Sequence, residues 1–115
     1  MSGWKPLTDS SLLEQVSKDS HTRPQVIFKH STRCSVSSGA LSRLNQHVFP
    51  EQADFYFLDL IRFRSVSNEV AEVFHIRHES PQIILLWQNQ VVYHASHRQI
   101  VFDKLAEQLS ALTVA

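Results

Sequence analysis

The 115-residue sequence predicts one α/β domain, a four-stranded mixed sheet flanked by helices on both faces. Three features lead there. The runs Val26-Ile27-Phe28 and Phe55 to Leu60 are continuously apolar and of strand length, as in strands covered on both sides, the usual condition of parallel sheets. Segments with helical spacing separate these runs, and strand-helix-strand order calls for parallel pairing through a right-handed crossover. Two later strand-like runs, Gln82 to Trp87 and Val91 to Ala95, are split only by Gln88-Asn89-Gln90, which fits an antiparallel hairpin.

In chain order, the capping signal Ser11-Leu12-Leu13-Glu14 opens a first helix, with Leu12, Leu13 and Val16 on one face. It ends near Ser20, before Arg23-Pro24. The strand Gln25 to Lys29 follows. A second helix starts near Cys34, carries Val36, Ala40, Leu41, Leu44 and Val48 at helical spacing, and is closed by Pro50. After Phe55 to Leu60, Ser67-Asn68-Glu69 opens a third helix with Val70, Val73 and Phe74. In the hairpin loop Asn89 is the residue that accepts a left-handed backbone. Gln99 to Leu112 forms an amphipathic closing helix through Ile100, Val101, Leu105, Leu109 and Leu112. There are no repeats and only two glycines, so residues 1–115 read as a single domain with its core at about 12–109. This order of elements is the thioredoxin-like arrangement.

Acidic and basic residues balance at 11 each without long blocks, which gives nucleic acid or an anionic membrane no compositional support as partner. The stretch Met1 to Leu7 has no apolar h-region, and no run approaches membrane-spanning length. A cytoplasmic protein is expected. A single cysteine excludes an internal disulfide and suits a reducing compartment.

That cysteine, Cys34, falls just after the first of these strands, at the first turn of the following helix. Unpaired backbone N–H groups and the positive end of the helix dipole favour an anion there, and a thiolate is the species that attacks disulfides. Lys29, His30 and Arg33 add donors or positive charge, so a lowered thiol pKa is expected. A free cysteine in a polar run such as Ser31-Thr32-Arg33-Cys34-Ser35 is poorly suited to a buried packing role. Where a dithiol oxidoreductase carries its second cysteine stands Ser37. The internal resolving step is therefore absent, and Cys34 must form a mixed disulfide that an external thiol breaks. Ser37 is a candidate donor to the sulfur. In thioredoxin-like folds the loop before the third core strand faces the cysteine and holds a cis proline. Ser80-Pro81 stands in that place, although a trans proline starting a strand would read the same.

Phe28-Lys29-His30-Ser31-Thr32-Arg33-Cys34, together with His78-Glu79-Ser80-Pro81-Gln82, resembles the monothiol bacilliredoxins over about Leu12 to Leu109. The resemblance implies removal of bacillithiol from S-thiolated proteins: Cys34 as nucleophile, Ser37 at the missing resolving position, Pro81 as the cis residue, and Ser80 offering its backbone to substrate. It implies no bound cofactor, bacillithiol as thiol co-substrate, and S-thiolated proteins as partners. Arg33, Lys29, His30 and His78 are candidate contacts for the carboxylate-rich small thiol. The family commonly has proline after the cysteine, where this chain has Ser35, which adds a backbone N–H beside the sulfur.

Other readings fit the same residues. Cys34 would equally serve a non-catalytic redox sensor that binds a partner protein. Iron–sulfur carriage by one cysteine per chain ranks lower, because its known carriers have Gly-Phe where Ser35-Val36 stands. The pairs His75/His78 and His94/His97 do not lie on one rigid face, so no metal site is expected.

Overall fold

The structure, a computed structural model, describes residues 3–112. Its elements are β1 (Trp4–Pro6), α1 (Ser10–Asp19), β2 (Gln25–His30), α2 (Ser35–Leu44), β3 (Asp54–Asp59), α3 (Arg64–Val73), β4 (Gln82–Trp87), β5 (Gln90–Ser96), a 3-10 turn at His97–Gln99 and α4 (Phe102–Ala111). They form one sheet in the order β1-β3-β2-β4-β5, with β1 and β2 parallel to β3, and β4 antiparallel to both β2 and β5.

The sheet has five strands rather than the four expected. The added strand is β1, whose Trp4 pairs with Phe55. Three residues that include Lys5 and Pro6 show no apolar run, so this strand exists through its partners and not through local propensity. The Trp4 ring sits 4.8 to 6.1 Å from the rings of Phe28, Phe49, Phe55 and Phe57, and its indole N–H donates to Asn45 Oδ1 at 2.7 Å. Gly3 precedes it at φ 91°, where a Cβ would lie 2.8 Å from Phe49, so glycine alone fits the chain's entry into the strand. Leu7, ahead of the expected core boundary, is fully buried.

Each sheet face carries its own core, because alternate residues of every strand point to opposite sides. Ile27, Tyr56, Leu58, Ile84 and Leu86 meet Leu13 and Val16 of α1 and Val66 and Val70 of α3. On the other face Val26, Phe28, Phe55, Ile83 and Leu85 meet Ala40 and Leu44 of α2 and Leu105 and Leu109 of α4.

Several helix boundaries differ from expectation. Asp9 caps α1, accepting the Leu12 N–H at 2.9 Å, so the helix starts just ahead of Ser11. Helix α2 stops at Leu44, and Val48, placed on its apolar face by spacing, is 93% exposed. Helix α3 begins at Arg64, not Ser67, because Asp59 turns the chain by accepting the N–H groups of Ile61 and Arg62, each at 3.2 Å. Ser67 is instead buried mid-helix. The closing helix starts after a 3-10 turn, which leaves Val101 exposed at its N-cap. In the β4–β5 hairpin both Gln88 and Asn89 have positive φ, as a two-residue type I′ turn requires, so Asn89 is not alone in the left-handed region. The turn is anchored on α1, where Ser20 O accepts from Gln88 N–H at 2.7 Å and Ser20 Oγ from Asn89 N–H at 2.9 Å.

Candidate active site

The site lies where β2 ends. Lys29 pairs with Gln82 across the antiparallel β2–β4 ladder, so one further step along each strand brings His30 level with Pro81. The segment that enters α2 and the loop that enters β4 therefore leave the sheet side by side. The Ser80–Pro81 peptide bond is cis, Pro81 is buried, and its carbonyl accepts the His97 N–H at 3.0 Å.

Cys34 is the N-cap of α2, with extended backbone at φ −117°, ψ 120°. Its carbonyl accepts the Ser38 N–H at 3.1 Å, and its own N–H donates to Ser31 O at 3.2 Å. The thiol makes no capping bond and is partly exposed. The N–H groups of the first helical turn have no intrahelical acceptor, so an anion at the cap position meets converging donors and the positive end of the dipole. Ser35 occupies the first helical position, and it is exposed.

The Ser37 hydroxyl is not directed at the sulfur. Ser37 is fully buried, accepts the Ser31 N–H at 3.0 Å and lies 2.7 Å from His30 Nδ1. Its hydroxyl is thus committed to the strand end beneath Cys34. His30 is 5% exposed and packs 5.3 Å from the Phe57 ring and 5.9 Å from the Phe28 ring. Burial holds its pKa below the ordinary imidazole value, against the opposing pull of Asp59, so its ring is neutral and offers one donor and one acceptor.

Lys29 points to the opposite face, as the next residue of a strand must. It is fully buried, with Nζ donating to Ser67 O at 3.0 Å and lying 3.1 Å from His78 Nδ1. Burial, reinforced by Arg64, lowers its pKa to about 8. His78 is half-buried, and burial together with Lys29 and Arg64 lowers its pKa as well, with Glu79 opposing. Lys29 and His30 are therefore not surface contacts for a small thiol. Their polarity suggested solvent, yet each ends a strand covered on both faces and finds its partners inside. Arg33 is exposed beside Cys34, with its N–H donating to Ser31 Oγ at 3.3 Å. Ser80 is half-buried, and its hydroxyl is enclosed without a hydrogen-bond partner.

Beside α2 lies a cleft of about 510 Å³ lined by Val36, Glu79, Ser96, His97 and Arg98 among others. Glu79 Oε2 stands 3.9 Å from His97 Nδ1. Of these residues only His97 stands out in the sequence as a functional candidate, as half of a histidine pair; Val36 reads as a helix-face residue and Glu79 as part of the His78–Gln82 motif. Nothing in the sequence marks Ser31 and Ser67 as partners of buried polar side chains. Arg98 carried no signal, because only the fold brings the β5–α4 turn to the start of α2.

A reactive position at the start of the helix after β2, a cis-proline loop alongside it, and this sheet order define the thioredoxin-fold thiol oxidoreductases. A structure assigned as an oxidoreductase with a thioredoxin fold superposes with a TM-score of 0.80 at 26% identity, covering 91% of this chain and 92% of that one. Thioredoxin f from spinach chloroplast in its short form (TM-score 0.68, 17% identity, 95% and 92% covered) has the same fold. So has thioredoxin from Fasciola hepatica (0.69, 14%, 93% and 97%). Within that class the chain belongs to the family described as monothiol bacilliredoxin BrxC, whose profile matches residues 5–105. Its chemistry is thiol redox chemistry with one cysteine. Among the described residues no helix is long and apolar enough to cross a membrane.

Proposed function

We propose that the protein removes bacillithiol from S-thiolated proteins through a mixed disulfide on Cys34. The Cys34 thiolate attacks the bacillithiol sulfur of the adduct. A Cys34–bacillithiol disulfide forms, the partner's disulfide breaks, and the partner leaves as a thiolate that takes a proton from solvent. A second bacillithiol thiolate then attacks the bacillithiol sulfur on Cys34, releasing bacillithiol disulfide and the Cys34 thiolate. No oxidant or bound cofactor enters either step. A lone thiol of this kind suits the cytoplasm, where thiols stay reduced.

The observation that carries this reading is the placement of Cys34. It is a partly exposed thiol at an uncapped helix N-terminus, with a buried and already bonded serine where a resolving cysteine would be. Such a group can start exchange and cannot finish it alone. The neighbouring Ser80–Pro81 segment offers its backbone edge to an extended substrate chain.

The test is turnover of a bacillithiolated protein in excess over this one, with free bacillithiol supplied. Many partner thiols released per Cys34, and none with Cys34→Ala, is the expected result. Release limited to one per Cys34 would identify a sensor that needs a separate enzyme to reset it. Equal release by the alanine variant would remove Cys34 from the chemistry.

A further inference from the structure

The residues that recognise the small thiol are a separate question from the nucleophile. Of the basic residues just before Cys34, Lys29 and His30 are enclosed and Arg33 is exposed. The cleft of about 510 Å³ and a second one of about 230 Å³ share Val36 and Arg98 as walls, and the second also takes in Ser35 and Arg43. Together they run along the first turn of α2, reaching the residue next to Cys34.

The charges there are unbalanced. Arg98 is exposed and forms no ion pair or hydrogen bond among the described residues. Arg43 donates once from Nη2, to Ile100 O at 3.1 Å, and has no acidic partner among them. Glu79 also lines the larger cleft and stands close to His97. In the wall of that cleft Ser96 is 7% exposed, and its hydroxyl is enclosed with no hydrogen-bond partner. His97 holds this wall in place: its φ is 56°, rare for a residue with a side chain, while its N–H is fixed on the carbonyl of Pro81.

Resting on the reading above, we propose that these joined clefts bind the low-molecular-weight thiol and select for carboxylates on it, Arg98 being the principal anion-recognising residue and Arg43 the second. A guanidinium is planar and always charged, and its fork of donors matches a carboxylate in two-point contact. Arg98 is a specificity residue of the exchange step and takes no part in making or breaking the disulfide.

The test uses Cys34 activated as its 2-thiopyridyl disulfide, from which an incoming thiol displaces 2-thiopyridone as its sulfur bonds to Cys34. Mercaptosuccinate is the carboxylate-bearing probe and 2-mercaptoethanol the neutral one. Arg98→Gln should slow mercaptosuccinate about fivefold or more, restored in part by Arg98→Lys, while the rate with 2-mercaptoethanol stays within about twofold of wild type, the variability ordinarily seen for single contacts. High salt should narrow the wild-type advantage for mercaptosuccinate. Equal slowing of both thiols, or of neither, overturns the proposal. Failure of the parent reading looks different: wild type leaves a bacillithiolated partner modified while its preference for mercaptosuccinate persists.

Discussion

The two sides of β2 solve different problems with consecutive residues. On the α2 side, His30 and Ser37 sit under the helix that presents Cys34, amid the rings of Phe28 and Phe57. On the α3 side, Lys29 ties Ser67 to His78 in the segment leading to the cis proline. One strand end thus anchors both halves of the site, the half that carries Cys34 and the half that carries the cis proline. The first anchor is a neutral network whose loss should show as lost stability. The second buries an ionisable amine, so its signature should be dependence on pH.

The largest effect is expected from His30→Ala, which empties a ring-sized space at a position 5% exposed and leaves Ser37 short of a partner. A loss of about 3 kcal/mol in urea unfolding, with slower exchange at Cys34, would match this. A loss within the range of surface substitutions would break the comparison.

Ser37→Ala should follow at about 1 to 2 kcal/mol, because the enclosed Ser31 N–H loses its acceptor. Cys34 alkylation rates, measured on the same variant, should fall if the helix start loosens.

Lys29→Met sharpens the other side. The folded-state pKa of about 8 lies below the ordinary 10.5, so the folded protein sheds this proton first. The charge opposes folding in full below pH 8, and that opposition is relieved as pH rises toward 10.5. Wild type should therefore gain stability relative to Lys29→Met across that window. A constant difference would show that the amine does not titrate as its burial requires.

The smallest effect belongs to Ser20→Ala, at the α1 end that anchors the hairpin turn. About 1 kcal/mol of stability should be lost through the Asn89 N–H contact, with exchange at Cys34 unchanged. Slower exchange in this variant would mean that loosening anywhere in the fold reaches the site.

The pattern of residues made the central strands and the hairpin legible, and β4 spans Gln82–Trp87 as its apolar run indicated. Cys34 was readable because a thiol between a strand and a helix has a chemical reason to be there. What pattern could not supply depended on contacts between distant segments. β1 is held by Phe55 and a cage of aromatic rings, and α3 begins where the Asp59 side chain turns the backbone. The inward course of Lys29 had one usable signal: it continues a strand whose preceding residues are apolar on both faces, so its side chain also had to be covered. Arg98 and Ser96 gave none.

The account stands on Cys34 as a nucleophile that takes the small thiol onto itself. Intact-mass measurement after one round of mixing with a bacillithiolated protein tests this most directly. The adduct mass should leave the partner and appear on the wild-type chain, and Cys34→Ala should acquire nothing and leave the partner modified. An adduct that stays on the partner in the presence of wild-type protein would contradict the account.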